Sequence, residues 1–232
     1  MKKSIFFAAV AAFMLMSVSA SAQFVQSKGG SKAAASATVE DVFNTFDITY
    51  SPVKIKTSYK NNSSVTDLNG VSLNWSQARV LTNQLPVYIQ YGAGLQYSWK
   101  TESEDDYKST DHFLTVKVPV NVLYNFVVPN TAVSIMPYVG LNAQVHALGQ
   151  SKITYDIGDG EKEVAKFSYF SKEDMDDEPY SRFVLGWQIG GMVAFNRYFV
   201  GVGYNGPITN LYKEGEGKIN HSQVNISLGI KF

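Results

Sequence analysis

Cysteine is absent from the 232 residues, so whatever the chain builds must hold without disulfides. That is easier for a closed sheet than for a small loop-rich domain. A surplus of basic residues is missing too: 20 Lys and Arg stand against 20 Asp and Glu, which leaves no electrostatic footprint for nucleic acid. Beyond residue 22 no apolar run approaches the roughly 18–20 residues of a membrane-spanning helix. If the mature chain enters a membrane, it must do so as strands.

What is present begins at the N-terminus. Lys2 and Lys3 precede an apolar run from Ile5 to Met16, followed by small residues ending in Ala20-Ser21-Ala22. These are the three parts of a secretory signal peptide, residues 1–22, with Ala20 and Ala22 marking cleavage before Gln23. Its removal leaves 210 residues with 18 basic against 20 acidic side chains, a net charge near −2. Residues 23–41 are small and polar and read as a flexible leader. The remainder, 42–232, is long enough for one large β domain.

Eight strands are predicted there, at 46–56, 71–81, 85–99, 112–126, 131–148, 181–195, 197–205 and 220–232. Most reach the roughly 9–11 tilted residues that cross a bilayer, whereas globular strands average 5–6. Connections alternate in length. Short ones fall at 82–84, 127–130 and Asn196, longer ones at 57–70, 100–111, 149–180 and 206–219. Short turns on one side and long loops on the other are the pattern of an outer-membrane barrel, with the turns toward the periplasm.

The strands also alternate in character. In the fourth, Leu114, Val116, Val118, Val120, Val122, Tyr124 and Phe126 share one face, and Thr115, Lys117, Pro119, Asn121 and Asn125 the other. The polar faces hold Gly, Ser, Asn, Gln and Tyr with few charges. A narrow lumen wants such residues, where small side chains make room and uncharged polar groups bond one another. Aromatic residues Tyr124, Phe126, Phe195, Tyr198 and Phe232 cluster at the expected periplasmic ends and Trp99 at the other, as in interfacial girdles. Pro52 and a shift of apolar parity between Tyr50 and Val53 suggest a bulge in the first strand. Arg79 falls on the lipid-facing parity, tolerable only near the interface.

With its signal peptide, eight alternating strands, LPVYIQYGAGLQYSW, VSIMPYVGLNAQ, RFVLGWQIGG and the closing VNISLGIKF, the chain resembles small outer-membrane proteins of the OmpX/OmpA-transmembrane type, also called porin-family or outer-membrane beta-barrel proteins. The likeness covers about residues 42–232. It implies an all-β fold: an eight-stranded antiparallel up-and-down transmembrane barrel with short periplasmic turns and long extracellular loops. It also implies that Val224, Ile226, Leu228, Ile230 and Phe232 form the signal read by the barrel assembly machinery. Outer-membrane lipids would surround a monomer, and the loops would face any surface partner.

A polar network inside the lumen is expected from Asp47, Gln90, Gln96, Lys117, Asn121, Asn142, Gln188 and Lys231, with Asp47 and Lys231 approaching each other across neighbouring strands. Lys117 has no obvious acidic mate. Tyr88, Met136, Tyr138, Met192 and Phe199 should fill the interior. His112, His146 and His221 read as water-exposed residues at the extracellular rim, with no spacing that suggests a metal site. His221 and Ser222 are adjacent, so they point to opposite faces and cannot form a nucleophile–base pair. The acidic stretches 102–106 and 172–178 read as solvated loop tips, and DIGDGE (156–161) as the turn of a hairpin projecting beyond the membrane. No cofactor or catalytic residue is assigned. The expected function is that of a non-enzymatic outer-membrane barrel with a filled lumen, contributing to envelope integrity or surface interaction. The alternatives are a small-solute channel and, remotely, a lipid-modifying enzyme.

Overall fold

A computed structural model describes residues 40–59, 62–82, 85–104, 107–158, 161–174, 180–211 and 217–232. The predicted signal peptide and all but the last two residues of the leader lie outside them.

The strands are β1 (Val42–Tyr50), β2 (Val53–Tyr59), β3 (Asn62–Thr82), β4 (Leu85–Ser103), β5 (Tyr107–Tyr124), β6 (Phe126–Val127), β7 (Val133–Gly158), β8 (Glu161–Ser168), β9 (Phe183–Phe195), β10 (Tyr198–Pro207) and β11 (Lys218–Lys231). All described pairings are antiparallel, and they close on themselves. β1 and β2 each pair with β3 on one side and β11 on the other. From there the ring runs β3–β4–β5–β7–β9–β10–β11. Taking β1 and β2 as one interrupted stave, the ring has eight staves. Closure leaves no open edge around the wall, which is the condition for a sheet in lipid.

Period-two alternation sorts the side chains. Phe46, Ile48, Leu73, Leu95, Val120, Val139, Leu141, Ile189, Val200, Val202, Ile226 and Leu228 all point outward and stay exposed, Leu228 at 64%. Their neighbours in sequence point into the lumen. At the end with the short turns, Asn130 and Asn196 take the left-handed conformation (φ 60° and 54°) that lets a tight connection reverse the chain. Exposed Tyr124, Phe126, Phe195, Tyr198 and Phe232 ring that end, and Tyr50, Tyr97, Trp187 and Tyr204 the other.

Two expectations need correction. The segments foreseen as the first two long loops, 57–70 and 100–111, are largely strand: β3 runs 21 residues, β4 19, β5 18 and β7 26. Ladder hydrogen bonds are as favourable above the membrane as within it, so the hairpins continue. Nor does the first stave slip at Pro52. Tyr50 faces Ile226 and Val53 faces Gln223, three residues on in each strand, so register is kept. The apparent parity change arises because Val53, 2% exposed, points inward and lines a pocket of the lumen with Ile55 and Leu68.

Candidate functional site: a closed polar lumen

The lumen has three layers. Nearest the short turns is an apolar plug of Phe43, Tyr88, Leu123, Met136, Met192 and Phe199, with Ala78 and Ala194 filling the gaps. Phe43 meets Tyr88 edge-on at 5.1 Å. Tyr138 packs against this plug, its hydroxyl occupying space that two glycines leave open. A Cβ on Gly190 would come within 2.5 Å of that oxygen, and one on Gly203 within 2.4 Å.

Above the plug lies a polar chamber of about 100 Å³, room for several water molecules. A hydrogen-bonded chain crosses it. Gln188 donates to Asn121, Asn121 to Gln90 (2.9 Å) and Gln90 to Ser76 (2.9 Å), and Ser76 meets Thr45 at 2.6 Å. A second cluster holds the charges. Asp47 accepts from Thr49 (2.6 Å) and Asn74 (2.7 Å), Asn74 also donates to Ser72 (3.2 Å), and Lys117, 6% exposed, donates to Ser72 (3.1 Å). Lys117 thus shares a hydrogen-bonded cluster with Asp47, linked to it through Ser72 and Asn74 and not by a direct ion pair. The sequence reading missed Thr45, Thr49, Ser72, Asn74, Ser76 and Ser227, although strand parity alone would have put them in the lumen.

The expected approach of Asp47 and Lys231 is not what the ring makes. Lys231 stands opposite Thr45 while Asp47 stands opposite Gly229. Lys231 reaches the other way, to Glu40 at 2.7 Å, and lies over the Phe43 ring. Of the remaining predicted network, Gln96 donates to Ser98 (2.8 Å) but its Oε1 is buried without a partner among the described residues, as is Asn142 Oδ1. Arg79, on the outer face, donates to Gln77 (3.0 Å), which also accepts from Tyr91 (2.6 Å).

The third layer closes the other end. Val184, Leu211 and Ile219 pack with Ile55 and Tyr180, beside Phe113, Phe170, His146 and His221. Here the histidine expectation fails. His112 does lie outside, stacked on Tyr97 and hydrogen-bonded to its hydroxyl, but His146 and His221 are buried, 5% and 7% exposed. Residues far apart in sequence meet across the lumen, and the two rings come within 5.9 Å. His146 Nδ1 bonds Thr115 Oγ1 (2.8 Å), and its Nε2 has no partner among the described residues. Roughly 11 tilted residues span a bilayer. Counted from the aromatic ends, these run from Val133 to Ala143 and from Phe232 back to Ser222, so both histidines sit just above the crossing segments. Burial, then the Arg182 guanidinium, holds the His146 imidazole down at about 4. Burial, then His146 and Lys117, holds His221 at about 3. Over this layer Tyr169 donates to Asp111 (2.9 Å) and stacks on Phe113 and Tyr180.

Among the described residues no group of three or more His, Asp and Glu converges as metal ligands would. Of the acidic stretches, whose tips lie outside the described residues, Glu102 pairs with Lys100 at 2.5 Å and Asp174 accepts from the Ser168 amide.

An apolar, aromatic-ended outside around a polar, plugged inside defines a small membrane-embedded β-barrel filled by its own side chains. No protein-family model matches the chain, and no curated protein does. Among solved structures it is similar to Ail, the attachment invasion locus protein of Yersinia pestis, crystallised with the heparin analogue sucrose octasulfate (11% identity, 83% of this chain, 100% of that one, TM-score 0.44). It is also similar to Neisserial surface protein A (13%, 81% and 97%, TM-score 0.34) and to the outer membrane enzyme PagL (16%, 79% and 98%, TM-score 0.37).

Proposed function

We propose that this chain is a non-enzymatic integral protein of the outer membrane that works through its extracellular surface and does not conduct solutes. The two clusters of apolar side chains packed across the lumen, one on each side of the polar chamber, support this reading. Above the membrane, β4, β5, β7 and β8 continue as a sheet, and β8 pairs only with β7 among the described residues. Its other edge offers backbone groups to a partner strand. Val224, Ile226, Leu228, Ile230 and Phe232, exposed on the closing strand, are the residues we assign to recognition by the assembly machinery.

Planar-bilayer recording tests the central point. Folded, purified protein should give no steady single-channel openings, while replacing Tyr88 and Phe199 together by alanine should produce them if the plug is the barrier. Steady openings in the parent would favour the channel reading instead.

A further inference from the structure

Arg79 stands on the outer wall in apolar company. It opposes Val42 on one side and Ile89 on the other, and Leu81 follows it on the same face. Arg79 is exposed, and its Nε donates to Gln77 Oε1 at 3.0 Å. The same oxygen accepts from the Tyr91 hydroxyl (2.6 Å), while the Gln77 amide nitrogen donates to Asn44 Oδ1 (3.2 Å). Gln77 itself is only 4% exposed. Three neighbouring staves thus hold one edge of the guanidinium through a buried amide. Nη1 and Nη2 keep no hydrogen bond or ion pair among the described residues.

Register gives the depth of this group. The row of partners that starts at Val80 runs by way of Leu123, Gly190 and Asn225 and comes back to β3, through Ser51, at Gly70, ten residues nearer the far end. Level positions on adjacent staves are therefore offset by a little over one residue, as the tilt of a closed barrel requires. Arg79 shares a row with Val122 on β5, and two staves of offset carry its level to Tyr124. In the other direction Gln77 shares a row with Asn44, whose backbone exchanges two hydrogen bonds with Phe232, and the same offset brings Arg79 level with Phe232. Tyr124 and Phe232 belong to the aromatic ring at the short-turn end, and such rings lie at headgroup depth.

We propose that Arg79, oriented by Gln77, Tyr91 and Asn44, binds the phosphate of a phospholipid headgroup in the leaflet on the short-turn, periplasmic side. The inference rests on the membrane reading above but not on the closed lumen. A guanidinium fork offers two terminal N–H groups to two phosphate oxygens at once. Holding Nε beforehand lowers the cost of ordering that fork when the headgroup arrives. A free phosphate ion has no reason to sit among Val42, Ile89 and Leu81, whereas a lipid phosphate is kept at this depth by its own chains.

Native mass spectrometry of the folded, detergent-solubilised protein tests this. Phosphatidylethanolamine, or a galactosyl diacylglycerol with the same chains, is added to the micelles; the first is zwitterionic, so net charge is not what is read. The parent should retain one phosphatidylethanolamine and release the galactolipid. Arg79→Gln should lower retention about ten-fold, as expected for losing a charge-assisted pair. Gln77→Leu leaves the charge but frees the fork and should lower it about three-fold, whereas Arg197→Gln, at a short turn of the same end, should behave as the parent. Folding of each variant is checked by heat-modifiable gel mobility and insertion by flotation with vesicles. Unchanged retention in Arg79→Gln or Gln77→Leu would overturn the proposal. So would equal retention of the galactolipid, or displacement of the phospholipid by inorganic phosphate. In each of these cases a protein that still floats with vesicles leaves the membrane reading standing, and one that stays in the aqueous phase removes both.

Discussion

Replacing Asp47 by asparagine should destabilise the barrel by about 3 kcal/mol, and removing Lys117 from the same molecule should restore most of it. Losing one partner of a buried ion pair costs roughly 3–5 kcal/mol, because the other charge is left in a poor solvent. Asp47 and Lys117 are linked through Asn74 and Ser72 and not in direct contact, and three further features put them at the low end. Asp47 is only half-buried, the chamber has room for water, and Ser72 stays within reach of the Lys117 ammonium at 3.1 Å. In Asp47→Asn the amide can still meet Thr49 or Asn74, so the loss falls on Lys117. Lys117→Met alone removes a charge and its desolvation together and should cost about 1 kcal/mol, the carboxylate keeping its two hydrogen bonds. The double variant should therefore lie near the Lys117→Met value, which gives a coupling of about 3 kcal/mol. Urea unfolding from lipid vesicles, followed by tryptophan fluorescence for all four proteins, measures it. If the single effects add to within about 0.5 kcal/mol, the two charges are energetically independent and this account of the chamber is wrong.

Acid should loosen the extracellular cap. His146 and His221 are held neutral in the fold, at about 4 and about 3, whereas an exposed histidine titrates near 6.5. Above pH ~6.5 the closed and opened caps bind the same number of protons. As pH falls below it, only the opened form takes them up, so closure weakens by about 1.4 kcal/mol per pH unit for each histidine until the folded values are reached. Hydrogen exchange of residues 169–174, corrected for intrinsic rate, should be faster at pH 5 than at pH 7; an unchanged response in His146→Gln/His221→Gln would show that other groups are responsible. For the closing strand, Phe232→Ala should reduce the amount of assembled barrel in cells while leaving refolding into pure lipid vesicles nearly as efficient, because the backbone of Phe232 still exchanges hydrogen bonds with Asn44. An equal loss in both settings would mean that the ring is an anchor only.

Alternation made the staves legible, since a period of two states which face is oily without reference to any other strand. It also marked Tyr88, Met136, Met192 and Phe199 as filling, and Gln90, Asn121 and Gln188 as lumen residues. What it could not supply is which inward residues meet. That Lys231 turns to Glu40, that Lys117 joins Asp47 through Ser72 and Asn74, and that His146 finds His221 are consequences of register and curvature summed around the ring. Small hydroxyls were overlooked for another reason: Thr45, Ser72 and Ser76 are unremarkable in a strand, and they matter because a narrow interior brings them within reach of longer amides. The upper layer was the least readable, since Tyr169, Phe170 and Leu211 come from connections whose course no periodicity describes.

The seam of the ring sets an order of events. Thr49 and Ser227 touch at 2.7 Å although they stand 178 positions apart in sequence, and the stave that begins the wall also completes it. In a growing chain the first strand can meet β3 early, but its other edge has no partner until nearly all the rest has been made. Its interior polar groups and its greasy exterior would both be uncovered for that time. Such a molecule needs an escort that keeps it from aggregating, and a closing step at the bilayer in which the two distant ends are brought together last.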